Sequence, residues 1–282
     1  MVQYSKIDRK KIKPKKSLGQ HFLKNPRILK KIVSSINPKK DDNILEIGCG
    51  EGLLTELLAQ SGAKIAAIEK DKELYEIAEE RLKKYKNCKI LKGDILKIDI
   101  DKLRNDYFSS RRIRVVGNIP YNISSQILFM MLEKRRLIED IVFLIQKEMA
   151  DRISAERGNS DYGYVSVAFA IFFKTSKIYN ISGKSFFPPA KVESTLIHLI
   201  RLKQPKVKID NEVEFLKFIK NCFSHRRKTI RNNIKMMLDN KKLEALEKQL
   251  SLSHNFNLSV RAEELDLFHF KKIYDIIKFQ PG

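Results

Sequence analysis

Asn43-Ile44-Leu45-Glu46-Ile47-Gly48-Cys49-Gly50-Glu51-Gly52 reads as an apolar strand that runs straight into a glycine-spaced turn. A helical pattern at 53–60 follows at once. Strand, glycine turn and helix in that order put a loop at the carboxyl end of a buried strand, where backbone without side chains can approach a ligand closely. The spacing is G-x-G-x-G. Leu53 stands where the third glycine of the G-x-G-x-x-G dinucleotide fingerprint would fall, so a cofactor without a pyrophosphate fits better than a dinucleotide.

Outward from this loop the chain alternates. β-rich runs at 43–48, 64–69, 89–93 and 112–118 are separated by helical patterns at 53–60 and 72–84 and by a less regular stretch near Leu103. That spacing predicts an α/β fold with a Rossmann-like, doubly wound and mostly parallel sheet. Further strands are expected at 141–146, 177–181 and 195–202, with helices at 125–134, 149–156 and 164–173; the weaker alternation there permits an antiparallel edge strand. Ahead of the sheet, Ile28, Leu29, Ile32, Val33 and Ile36 form one helical face, closed by Asn37-Pro38. Lys203-Gln204-Pro205-Lys206 reads as a linker. Beyond it, helical periods at 213–223, 228–239, 242–250 and 262–278, with no convincing strand, predict a small all-helical C-terminal domain. The expected organisation is a flexible basic arm at 1–16, holding Lys6, Arg9, Lys10, Lys11, Lys13, Lys15 and Lys16, a catalytic domain at 17–202 and a helical domain at 207–282.

The charge names a class of partner. Lys and Arg number 56 against 34 Asp and Glu, a net +22, and such an excess favours a polyanion because each cation set on a phosphate releases counterions. Nucleic acid is preferred to a membrane surface, since no apolar run reaches the roughly 18 residues that span a bilayer and the N-terminal stretch is polar. A cytoplasmic protein without membrane partners is expected. Cys49, Cys88 and Cys222 lie far apart without C-x-x-C spacing, so neither a zinc site nor a disulfide framework is expected.

Two carboxylates extend the glycine loop into a cofactor site. Glu69 ends the second strand, where a carboxylate can accept both hydroxyls of a ribose. Asp94 follows the third strand and can accept from an adenine amino group while Ile95 covers the ring. Taken singly, each reads as a strand-end residue capping the next helix. Gly48 and Gly50, Glu69 and Asp94 at three successive strand ends instead describe a site for an adenosine without phosphates, consistent with S-adenosylmethionine and with no metal.

Val116-Gly117-Asn118-Ile119-Pro120-Tyr121 ends the fourth strand beside that site. An adenine amino nitrogen is a poor nucleophile because its lone pair is delocalised into the ring. The Asn118 side-chain oxygen and the Pro120 carbonyl can each accept one N–H, turning the lone pair toward a sulfonium methyl. Tyr121 can stack on an extruded base. Alone, Asn-x-Pro-Tyr reads as a turn; one strand past the cofactor set, it marks a methyltransferase acting on an exocyclic amine.

Together with Ser17-Leu18-Gly19-Gln20-His21-Phe22-Leu23, Gln146-Lys147-Glu148, Ser185-Phe186-Phe187-Pro188-Pro189-Ala190-Lys191-Val192-Glu193-Ser194 and Phe223-Ser224-His225-Arg226-Arg227-Lys228-Thr229, these motifs resemble the ribosomal RNA adenine N6,N6-dimethyltransferase family, in its small-subunit (16S rRNA) branch. The resemblance runs from Ser17 to the C-terminus. It implies a class I methyltransferase fold, S-adenosylmethionine as methyl donor, and two adjacent adenines near the 3′ end of small-subunit rRNA, within an immature 30S particle, as substrate of a monomer. It also implies that His21, Leu23 and Asn118 touch the cofactor, that Gln20 orders the N-terminal segment, and that Phe186 packs on the target base opposite Tyr121, with simple core packing the equal alternative for that aromatic. Arg226, Arg227 and Lys228 become RNA phosphate contacts. His21 stands where family members often have Asn, and Cys49 where they often have Pro, which points to backbone contacts at both places. The alternatives are the sister branch that methylates one adenine of large-subunit (23S) rRNA, a non-catalytic ribosome assembly factor, and a DNA amino-methyltransferase.

Overall fold

The structure, a computed structural model, describes residues 14–15, 18–254 and 257–279. The basic arm expected at 1–16 therefore lies outside the described residues, apart from Pro14 and Lys15. The chain runs β1 (Phe22–Leu23), α1 (Pro26–Ile36), β2 (Asn43–Ile47), α2 (Leu53–Ala59), β3 (Lys64–Glu69), α3 (Lys72–Leu82), β4 (Cys88–Lys92), α4 (Ile100–Phe108), β5 (Ile113–Asn118) and α5 (Ser124–Glu133). It continues through β6 (Ile138–Gln146), α6 (Lys147–Ser154), α7 (Tyr164–Phe172), β7 (Phe173–Ile181), β8 (Phe186–Phe187) and β9 (Ser194–Arg201) to α8 (Glu212–Cys222), α9 (Ile230–Ile234), α10 (Asn240–His254) and α11 (Leu267–Phe279).

Seven strands form one sheet in the order β4-β3-β2-β5-β6-β9-β7, mostly parallel with an antiparallel edge. β2 pairs in parallel with both β3 and β5, and β3 with β4. Every residue of β2 is buried, Asn43 and Glu46 included, which is why its apolar residues Ile44, Leu45 and Ile47 follow no alternation. The chain steps outward from β2 to β4 and then returns to β5 on the other side. A crevice opens at that reversal, outside the carboxyl ends of the strands.

Two compact units divide the chain. The first holds the described residues up to Ile138 with Val142–Lys147 and Ile178–Leu196; the second holds Glu139–Ile141, Glu148–Lys177 and the described residues from Ile197 onward. In the first, Leu29, Ile32 and Ile36 of α1 and Leu58 of α2 pack on Ile44, Ile65 and Val116 of the sheet. In the second, Phe215, Phe218 and Ile219 of α8, Leu243, Leu246 and Leu250 of α10, and Phe270 and Ile273 of α11 are buried. Lys203–Lys206, expected as a linker, is tied back within this unit: the N–H of Leu202 bonds to Phe172 O at 2.8 Å and that of Lys206 to Ile171 O at 2.9 Å.

Five elements depart most from the sequence pattern. β1 and β8, which the pattern did not show, form a separate antiparallel ribbon with Phe22 opposite Phe187 and Leu23 opposite Phe186. β7 starts at Phe173, directly after α7, rather than at 177. α9 spans only Ile230–Ile234 of the expected 228–239, because Asp239 caps the following helix, accepting the Lys242 N–H at 2.8 Å. The expected helix at 262–278 begins at Leu267, with residues 262–264 making one tight 3₁₀ turn before it.

Candidate active site

The crevice is lined by Gly48 and Gly50 from the turn after β2, Glu69 and Lys70 after β3, Asp94 and Ile95 after β4, and Asn118 to Ile123 after β5. Leu18 to Phe22 form its remaining side. Gly48 and Gly50 have φ of 70° and 57°, the left-handed region that favours glycine. Gly117 is constrained by space instead: a Cβ there would lie 2.5 Å from Ile47 O.

Glu69 is 7% exposed. Its Oε2 accepts the Gly50 N–H at 2.9 Å and its Oε1 the Asp71 N–H at 2.8 Å. Burial raises its pKa above the ordinary carboxylate value, and these N–H donors offset only part of that rise. Asp94 behaves oppositely. Burial pushes its carboxyl up, but Lys70 Nζ, 2.9 Å from Oδ2, and the Leu96 N–H outweigh burial and hold it below the ordinary value. Lys70 was not singled out in the sequence, where one lysine after a strand carries no signal in so basic a chain.

Asn118 Nδ2 donates to His21 O at 2.9 Å. A carbonyl can only accept, so this bond assigns the amide nitrogen to His21 and leaves Asn118 Oδ1 as an acceptor. The Pro120 carbonyl accepts the Ile123 N–H at 3.2 Å, using one of its two lone pairs. The Tyr121 hydroxyl lies 2.7 Å from Ser194 Oγ, and its ring stacks on the His21 ring at 5.4 Å between centroids and 28° between planes. Burial pushes the Tyr121 hydroxyl pKa up, with the Ser194 bond opposing, so the tyrosine is a neutral aromatic surface at physiological pH. His21 Nδ1 is 2.9 Å from Pro188 O, which requires a proton on Nδ1.

Of the residues picked from sequence, His21, Gly48, Gly50, Glu69, Asp94, Ile95, Asn118, Pro120 and Tyr121 line this one crevice. Leu23 and Phe186 do not. They face each other in the β1–β8 ribbon, 7% and 4% exposed, and belong to the hydrophobic core. Side chains alternate across a strand, so Phe186 points inward and Phe187, 47% exposed, points outward. Arg226 is held within the second unit, its guanidinium donating to Ser160 O, to Tyr162 O at 3.3 Å and to Glu263 Oε2 at 3.5 Å. Arg227 and Lys228 are exposed.

Asp71 is a site residue that the sequence did not reveal. It caps α3 through the Glu73 N–H, as any Asp before a helix can, yet it also accepts from Lys15 Nζ at 2.9 Å and from Gln20 Nε2 at 3.0 Å. The Lys15 N–H in turn bonds to Gln20 Oε1 at 2.8 Å. Lys15 and Gln20 are thereby fastened to the helix that follows Glu69. Glu46 was also passed over. It is buried under the glycine turn, and burial, with the nearby Glu69 charge, pushes its pKa up to about 7 against the opposing Thr55 hydroxyl.

A doubly wound sheet with a crevice at three successive strand ends and an amide-and-carbonyl turn at the fourth define a class I methyltransferase. The chain belongs to the ribosomal RNA adenine dimethylase family, whose sequence profile matches residues 11–273. It is 36% identical over 272 residues to the ribosomal RNA small subunit methyltransferase A of Syntrophus aciditrophicus, covering 95% of each chain. A dimethyladenosine transferase from Plasmodium falciparum superposes with a TM-score of 0.77 at 29% identity, covering 90% of this chain and 96% of that one. The 23S rRNA methyltransferase ErmE shares the fold, with a TM-score of 0.65 at 23% identity over 91% of this chain and 99% of that one.

Proposed function

We propose that this chain transfers methyl groups from S-adenosylmethionine to N6 of two adjacent adenines near the 3′ end of 16S rRNA, acting in the cytoplasm as a monomer on an immature 30S particle. The Asn118 amide carries the reading. Its nitrogen is committed to His21 O, so its oxygen and the second lone pair of the Pro120 carbonyl stand as two acceptors on one turn, the number a primary amine needs.

The crevice fits the cofactor. Glu69 is already oriented by two backbone N–H groups and keeps lone pairs for ribose hydroxyls; Asp94 and Ile95 offer an acceptor and an apolar cover for adenine. Lys70, a cation on the lining, is paired with Asp94, which suits a ligand lacking phosphates. The bound cofactor supplies an electrophilic methyl on a positively charged sulfur, which leaves as a neutral thioether. Asn118 Oδ1 and Pro120 O accept the two N–H bonds of the target amine and turn its lone pair toward that methyl. The nitrogen forms the new N–C bond and then releases a proton to water. Tyr121 offers the ring face not covered by His21 to the extruded base.

The small-subunit assignment is supported by the Syntrophus aciditrophicus relative over nearly the whole of both chains. The likeness to ErmE is one of fold and gives no comparable support to the large-subunit alternative. Among the described residues no helix is long and apolar enough to cross a membrane. Arg227 and Lys228 are offered as phosphate contacts, with Arg226 bracing them. Purified protein is expected to incorporate methyl groups into immature small subunits and none into free large-subunit RNA. The reverse pattern overturns the assignment, as does persistence of dimethyladenine in small-subunit RNA from cells lacking the protein.

A further inference from the structure

The β1–β8 ribbon exposes an aromatic ring that the chemistry above does not use. Phe187 is 47% exposed and sits opposite Phe22, which lines the crevice. Lys24 Nζ lies 5.6 Å from the Phe187 centroid and 5.7 Å from that of Phe22, and is itself ion-paired with the buried Glu51 at 2.5 Å. A cation fixed by a buried carboxylate between two rings holds both rings in place and leaves the rest of the Phe187 surface to solvent. The segment that follows Phe187 is anchored to the reaction centre at two points: Pro188 O bonds to His21, whose ring stacks on Tyr121, and Ser194 Oγ meets the Tyr121 hydroxyl. An exposed, pre-oriented ring therefore stands one residue from Pro188, whose carbonyl holds the His21 ring that stacks on Tyr121 of the turn that would hold the target base.

We infer that Phe187 is a stacking platform for the nucleobase next to the adenine being methylated. This rests on the proposed RNA substrate and adds to it a residue that selects how the flanking strand lies. A substrate with two adjacent target adenines needs a place for the second while the first is extruded, and an aromatic face accepts any base without reading its edges. Burying a ring this exposed against a base also recovers apolar area that otherwise stays in water. Lys24 is engaged by Glu51, so its part is to hold the ring, not to bind phosphate.

The test uses the full chain and a small-subunit rRNA fragment carrying 2-aminopurine beside the target adenine. Wild type should quench the probe. Phe187→Ala should abolish the quenching and weaken RNA binding about tenfold, with S-adenosylmethionine affinity unchanged, and Phe187→Trp should restore both. Unchanged quenching in Phe187→Ala, full restoration by Phe187→Leu, or a parallel loss of cofactor affinity would each overturn the platform. Wild-type turnover on immature small subunits is measured alongside, so that failure of the functional reading shows there, while an active wild type that leaves the probe unquenched, or any of the variant results above, counts against the platform alone.

Discussion

The two sides of the crevice are built on different principles. The strand-end side, from Gly48 through Glu69 and Asp94 to Asn118, takes its positions from consecutive parallel strands, and its carboxylates are oriented by backbone N–H groups close by in the fold. The ribbon side, β1 with β8, joins segments as far apart as His21 and Pro188, 167 positions in sequence, through two facing residue pairs and a few side-chain bonds. A rigid scaffold suits groups that must hold one cofactor to within tenths of an ångström. A thin ribbon with exposed rings suits a surface that meets a variable RNA. On the proposed function, cofactor and methyl transfer fall to the first side and placement of the flanking strand to the second.

The most direct way to break that division is Asn118→Ala. Removing the acceptor that turns the amine should lower the single-turnover methylation rate by about 10²–10³, with a smaller change in cofactor affinity. A rate within about threefold of wild type would show that the strand-end side does not carry the chemistry. Next in size is Glu46→Gln. The Glu46 pKa of about 7 lies above the ordinary carboxylate value, so the folded state favours the protonated form. The unfolded chain binds fewer protons between roughly pH 4.5 and 7, and stability falls as pH rises through that window, by an amount on the order of 3 kcal/mol. Thermal unfolding without cofactor should show Glu46→Gln more stable than wild type at about pH 8 and indistinguishable near pH 4.5. A loss of stability at the higher pH would mean that the carboxylate has a partner.

Glu69→Gln sharpens the comparison by separating binding from transfer. An amide keeps one acceptor for ribose but loses charge-assisted hydrogen bonds, so the Kd for S-adenosylmethionine should rise about tenfold while the rate at saturating cofactor changes little. In wild type the same affinity should weaken as pH falls, beginning above the ordinary carboxylate range because burial raises the Glu69 pKa. Calorimetric titration across pH checks both. A pH-independent affinity would remove Glu69 from the cofactor site.

This division also decides what could be read without coordinates. β2, β3 and β5 are legible because a largely buried parallel strand is a short, mostly apolar run bounded by a turn, and each ends at or just before a proposed site residue, where local pattern and chemistry coincide. Two-residue strands have no period, so β1 and β8 could not be seen, and with them went the facts that Phe186 faces the core and Phe187 faces out. Asp71 was hidden for a related reason: its cap to Glu73 is local and ordinary, while its bonds to Lys15 and Gln20 cross more than fifty positions. The helical unit shows the limit of periodicity itself, since 228–239 holds a helical pattern that Asp239 interrupts by starting the next helix.

The smallest expected effect lies where the two sides meet. Asp71, two positions past Glu69, fastens Lys15 and Gln20 to the start of α3, and Lys15 is 43% exposed in that contact. Asn remains a good helix cap and can still accept from Gln20, so Asp71→Asn should fold normally and remove only the charge that holds Lys15. The KM for S-adenosylmethionine should rise about two- to fivefold at low salt, with kcat unchanged. Added salt should erase the difference, because an exposed ion pair is screened. The pH dependence separates this effect from that of Glu69. Burial alone would raise the Asp71 carboxyl, but Lys15, Gln20 and the Glu73 N–H outweigh it and hold its pKa below the ordinary value, so the contact loses its charge only well into acid. Between about pH 6 and 8 the ratio of variant to wild-type KM should therefore stay flat; a ratio that drifts with pH there would place the coupling between the two sides in Glu69 and not in Asp71.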